Sequence, residues 1–174
     1  MLLIYVEVQY TAINEADIRE KVLNELSLVD ALTGLGNRRA YDEALKRERK
    51  DGRMGVGFFD LNRLKYTNDN FGHAAGDRRI VRFSEMLKGA FPDGELFRIS
   101  GDEFTVFFEG MTEEEFSRRM KGFQADVNRA ERIAAFGCVY RDGGNLLAMI
   151  REAEKAMYHD KAAFYQETGI DRRK

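Results

Sequence analysis

Three acidic side chains are placed to hold a cation. Asp60 closes a short apolar run, residues 54–59, and Asp102 and Glu103 occupy a short loop between two further apolar runs. Each has an ordinary reading. Asp60 can be a solvent-facing cap at a strand end, and Asp102-Glu103 can be plain turn residues. If the loop lies beside the end of the Asp60 run, the three carboxylates converge on one point. Such a cluster repels itself unless a hard cation is bound, and oxygen ligands of this kind suit Mg²⁺. Mg²⁺ usually bridges protein carboxylates and substrate phosphates, which points to a nucleotide. Gly101 beside the acids permits backbone angles that other residues avoid.

A second constellation lies between them: Asn68-Asp69-Asn70-Phe71-Gly72-His73-Ala74-Ala75-Gly76-Asp77. Asn and Gly at this density mark a turn. It reads either as a long helix-capping loop or as a base pocket. An Asp in this segment can accept from N1–H and the 2-amino group of guanine, a pair that adenine lacks, and an amide such as Asn68 can bond the same edge. His73 reads as a residue that orders the turn.

The elements that must position these residues follow from periodicity. Residues 54–59, 95–99, 105–109 and 133–140 read as strands, the middle two forming a hairpin around residues 100–104. Helices are expected from Asn37 to about residue 50, from Gly76 to residue 90, after a Thr112/Glu115 capping box, and from Asn145 to about residue 165. Helices that alternate with strands around a central hairpin suit an α+β fold of the split-βαβ kind. No Gly-x-Gly-x-x-Gly follows a strand, and no phosphate loop ending in Gly-Lys-Ser/Thr is present, so a doubly wound nucleotide fold is excluded.

Composition narrows the functional classes. The chain has 174 residues with 28 Lys+Arg against 30 Asp+Glu, a formal charge of −2. Such a balance leaves no global electrostatic footprint for a nucleic acid polymer. One cysteine, Cys138, excludes an internal disulfide, and two histidines are too few for a His-based metal cage. The apolar start Met1-Leu2-Leu3-Ile4-Tyr5-Val6 is far too short to span a membrane and reads as a strand. Asn14 reads as an N-cap, and the helix expected after it carries Ile18, Val22, Leu26 and Val29 on one stripe, a face that suits its own domain or a second copy of itself. Residues 1–29 are therefore read as a strand and connecting helix, the tail of an upstream sensory domain, and 30–174 as the main domain. A cytoplasmic location is expected.

Five segments together resemble GGDEF domains. Asp30-Ala31-Leu32-Thr33-Gly34-Leu35-Gly36-Asn37-Arg38-Arg39 is similar to the motif that opens them. Phe59-Asp60-Leu61-Asn62, with Lys65, Asn68-Asp69, Gly72-His73 and Gly76-Asp77, resembles their metal and guanine segment. Arg98-Ile99-Ser100-Gly101-Asp102-Glu103-Phe104 resembles the signature hairpin. Ala135-Phe136-Gly137-Cys138-Val139 and Ala153-Glu154-Lys155-Ala156-Met157-Tyr158-His159-Asp160-Lys161 resemble the two closing motifs.

The resemblance implies a central, mostly antiparallel sheet flanked by helices, like the palm of nucleotide cyclases and polymerases with a ferredoxin-like core. It implies a diguanylate cyclase that condenses two GTP into cyclic di-GMP and two pyrophosphates, working as a homodimer of half-sites. Two Mg²⁺ per half-site are implied, with Mn²⁺ also suitable. Asp60 and Asp102 would ligate the metal with help from the Leu61 carbonyl. Glu103 would be a further ligand or the base that activates the ribose 3′-hydroxyl. Asn68 and Asp77 would read guanine, Lys65 and Lys161 would steady phosphates, and the backbone at Asn62 and Gly101 would approach the nucleotide. The chain departs from the family pattern in four places. Ser100 replaces the first signature Gly, Asn62 the second strand-end acid, and Tyr165 an Arg that often follows Lys161. The Arg-x-x-Asp inhibitory pair is missing at Phe91-Pro92-Asp93-Gly94. The other reading is a degenerate GGDEF module that binds GTP or a partner protein without turnover.

Overall fold

The computed structural model describes residues 27–49, 52–129 and 131–169. The expected first strand and the stripe residues Ile18, Val22 and Leu26 lie outside the described residues. Five helices and four strands form among those described: α1 (Arg38–Lys46), β1 (Arg53–Leu61), α2 (Leu64–Phe71), α3 (His73–Ala90), β2 (Glu95–Arg98), β3 (Glu103–Glu109), α4 (Glu113–Val127), β4 (Ala134–Asp142) and α5 (Leu146–Thr168). The strands form one antiparallel sheet in the order β2-β3-β1-β4. β1 and β2 run in the same direction with β3 between them, which is the split βαβ arrangement and the α+β fold expected. Among the described residues no helix is long and apolar enough to cross a membrane.

Strand parity divides the core in two. Phe59, Leu61, Phe104, Val106 and Phe108 pack under α3 and α4 with Ile80, Phe83, Leu87, Phe116, Met120 and Phe123. Val56, Phe58 and Phe107 face the other way, against Met149, Ile150, Ala153 and Met157 of α5 and Tyr41 of α1. Asp60 shares the parity of Val56 and Phe58, so the same alternation that buries the phenylalanines aims its carboxylate at α5. Two glycines let helices approach the sheet. A Cβ at Gly55 would meet the Phe116 ring of α4 at 2.5 Å, and one at Gly137 would meet the Ala153 carbonyl oxygen of α5 at 1.9 Å.

Caps agree with the sequence signals. The side chains of Asn37, Thr112 and Asn145 accept from the N–H of Ala40, Glu115 and Ala148, starting α1, α4 and α5. Three boundaries differ. α1 stops at Lys46 because Arg47 turns extended and Arg47 and Arg49 both pair with Glu95, drawing the chain onto β2. β3 begins at Glu103, two residues earlier than expected, which brings Glu103 into the ladder opposite Asp60.

The third difference is the largest. The segment 68–77 is almost wholly helical, broken at Gly72 alone. Gly72 has φ 79°. Its N–H donates to the Asn68 carbonyl at 2.9 Å and its carbonyl accepts from the Ala75 N–H at 3.0 Å, so one residue ends α2 and begins α3. α2 buries only Leu64 and Thr67, too short a stripe for periodicity to register.

Candidate active site

The acids meet at the end of β1. Asp60 and Glu103 are Cα partners in the β1–β3 register, and the Leu61 N–H donates to the Asp102 carbonyl at 3.0 Å, fixing the hairpin tip against the strand end. α5 supplies the fourth member. The Lys161 ammonium donates to Asp60 Oδ1 and lies 4.0 Å from Asp102 Oδ2. One turn earlier, the Tyr158 hydroxyl donates to Glu103 Oε1 at 3.5 Å. Asp60 is 3% exposed. Its burial, and next the negative charge of Asp102, push its carboxyl up to about 6, outweighing the hydrogen bond and charge of Lys161, with Glu103 adding to the rise.

This arrangement is looser than three convergent carboxylates. Among the described residues no three acidic, histidine or cysteine side chains gather closely enough to hold a metal ion. The reason is visible: Lys161 stands between Asp60 and Asp102, while Glu103 leans toward Tyr158. The donor set nevertheless fits a hard divalent cation, since Asp60 and Asp102 share a single ammonium, Glu103 adds a third carboxylate beside them in the ladder, and the oxygens are of the type Mg²⁺ prefers.

The expected guanine readers form a second group on the α2–α3 hairpin. The Asn68 amide oxygen rests against Gly76, where a Cβ would sit only 1.9 Å away, and Asp77 follows exposed on the next residue. The fold thus brings Asn68 beside the Gly76-Asp77 step. Lys65 is exposed on α2, and Gly101 is exposed at the hairpin tip with open space about its Cα.

A family model described as "Diguanylate cyclase, GGDEF domain" matches residues 27–166. The chain belongs to the GGDEF family. It is 38% identical over 90 residues to the diguanylate cyclase DgcS of Shewanella oneidensis, covering 48% of this chain and 30% of that protein. It is 30% identical over 152 residues to the diguanylate cyclase DgcP of Escherichia coli, covering 81% of this chain and 44% of that one. The chain therefore spans less than half the length of these curated relatives. Among solved structures, the GGDEF domain of DgcB from Caulobacter crescentus in complex with c-di-GMP superposes with a TM-score of 0.69 at 22% identity, over 79% of this chain and 91% of that one, a likeness of fold.

Within this GGDEF chain some expected residues stand differently from the expectation. Asn62 is turned inward. Its N–H donates to the Ile133 carbonyl at 2.8 Å, its amide nitrogen to the Arg132 carbonyl at 2.9 Å, and its own carbonyl accepts from Arg79 at 3.3 Å. Its backbone N–H is thus committed to the protein and not to a nucleotide. Lys161, expected at a phosphate, is paired with Asp60. The Phe91–Gly94 stretch is structural: Phe91 is fully buried against the rings of Phe108 and Phe123, and Asp93 pairs with Arg119 of α4.

Sequence reasoning missed three supports of the site. Tyr158 lies three positions before Lys161, a helical spacing that was legible. Asp160 accepts from the Phe136 N–H at 2.9 Å and pairs with Arg132, locking α5 to β4. Arg98 joins the hairpin to Asp30, a partner that no local spacing indicates.

Proposed function

We propose that this chain is a catalytically competent diguanylate cyclase module. The observation that carries the reading is the meeting of Asp60, Asp102 and Glu103 with Lys161 at the junction of strand, hairpin and helix. Asp60 and Asp102, with the Leu61 carbonyl, would hold Mg²⁺, which when bound lowers the pKa of the attacking hydroxyl and neutralises the leaving pyrophosphate. The ribose 3′-oxygen of one GTP bonds to the α-phosphorus of the other as the bond to pyrophosphate breaks. Glu103 is positioned to take the hydroxyl proton or to serve as a further ligand. Asn68 and Asp77 present amide and carboxylate to the guanine edge. Lys65, exposed on α2, is free to meet phosphate, and Gly101 lets a ligand approach the hairpin backbone. Two such transfers, one from each half-site, close the ring, so the working unit is a homodimer. An upstream sensory domain would control it in the cytoplasm, where GTP is supplied.

A second reading is a GTP-binding module without turnover. It is favoured by Lys161 on Asp60 and by Tyr165 in place of a cation. Incubation with GTP and Mg²⁺, with cyclic di-GMP and pyrophosphate quantified by chromatography, decides between them. Formation of both in a 1:2 ratio is expected. GTP binding without product would establish the second reading.

A further inference from the structure

Arg63 combines two independent features. It is the one non-glycine residue at positive φ among the described residues, at φ 59°, a backbone cost that glycine would not bear. Its buried Nε, like those of Arg49 and Arg79, has no hydrogen-bond partner among the described residues, but unlike those two arginines it has no ion pair among the described residues. The guanidinium is stacked 4.2 Å over the Tyr66 ring, which in turn meets the Phe71 ring edge-on. Most arginines around the site are committed: Arg79 to Asn62 and Glu131, Arg98 to Asp30 and Gly101, Arg132 to Asp160 and Glu167. Arg63 is held in place by an aromatic face, in a strained backbone, with donors to spare. It lies two residues beyond the strand that ends in Asp60-Leu61 and two before Lys65.

We propose that Arg63 is a triphosphate-binding residue of this site, supplying the cation that Tyr165 does not. The inference rests on the GTP reading above. A guanidinium stacked on tyrosine keeps its edge free for charged oxygens, and its fork matches two phosphate oxygens at once. A cation maintained at a strained position, without an ion pair among the described residues, is accounted for by an anionic ligand.

The test uses 3′-deoxy-GTP, which cannot condense because it lacks the attacking hydroxyl, and guanosine, which carries no phosphate. Calorimetry is run on wild type, Arg63→Gly and Arg63→Lys. Arg63→Gly should bind 3′-deoxy-GTP about tenfold more weakly, the scale of one charge-assisted contact, and bind guanosine unchanged. Arg63→Lys should fall between. The Arg63→Gly melting temperature should equal or exceed that of wild type, because glycine relieves the backbone. Unchanged 3′-deoxy-GTP affinity in Arg63→Gly, or an equal loss for guanosine, would overturn the assignment. Wild type that binds neither compound would overturn the GTP reading and this inference with it.

Discussion

The guanidinium of Arg98 is 3.2 Å from both carboxylate oxygens of Asp30, 68 positions earlier in the chain. The same side chain donates to the Gly101 carbonyl at 2.9 and 3.3 Å. Arg98 therefore ties the segment that enters the domain to the loop that carries Asp102. Asp30 also accepts from the Thr33 N–H and hydroxyl at 2.9 and 2.7 Å.

This network makes a pH-dependent contribution to stability. Burial acts to raise the Asp30 carboxyl, but the Thr33 and Arg98 hydrogen bonds outweigh it and hold it below the usual 3.8. A depressed carboxylate stabilises the fold above its unfolded value, and that contribution is lost as pH falls through the folded one. Asp30→Asn should cost roughly 1–3 kcal/mol at pH 7. Thermal melts from pH 7 to pH 2 should show the gap to wild type closing below about pH 4. A constant gap would place the loss in packing and not in charge.

Asp60→Asn and Asp102→Asn should each lower cyclic di-GMP formation at least ~100-fold, more than outer-shell changes around a metal cost. Fold should persist. Because burial and Asp102 already disfavour the charged form of Asp60, the metal-free Asp60→Asn protein should melt no lower than wild type. Retained turnover in either variant would refute their role as ligands.

Gly76→Ala tests the Asn68 position. Alanine favours a helix over glycine by ~1 kcal/mol, and Gly76 has no strained φ. The new methyl would nonetheless displace the Asn68 amide, 1.9 Å from its ideal site. The KM for GTP should rise roughly tenfold, the worth of one displaced hydrogen bond with its unpaired group, while helical circular dichroism holds. An unchanged KM would remove Asn68 from the base site.

Gly137→Ala should be severe. The methyl would lie 1.9 Å from the Ala153 carbonyl oxygen and 2.4 Å from the Met157 nitrogen. Both are backbone atoms of α5 and cannot rotate away. A loss of roughly 2–3 kcal/mol or more is expected from overpacking, read by urea denaturation. Tyr158 and Lys161 move with α5, so residual folded protein should also be slow. A variant as stable and active as wild type would show that α5 does not need this close approach.

Much of this protein is local in origin and therefore legible in the chain. The short apolar runs at residues 54–59 and 105–109 read as strands buried on both faces, and the structure, Glu109 apart, buries them so. The capping residues Asn37, Thr112 and Asn145 mark helix starts because their side chains bond N–H groups three residues on. The acidic pair at 102–103 and Asp60 stand out as polar groups at the ends of apolar runs. The α2–α3 hairpin was not legible: Asn-rich sequence with one glycine suits a turn as well as two short helices, and burial of Leu64 and Thr67 by the rest of the fold decides. Nor could spacing show that Lys161 would pair with Asp60, 101 positions away, that Arg98 would find Asp30, or that Asn62 would be consumed by the 132–133 backbone. Those pairings depend on which sheet face α5 covers and how closely Gly137 lets it approach. They are fixed by packing between distant segments, where the burial of charge, and not the local pattern, selects the partner.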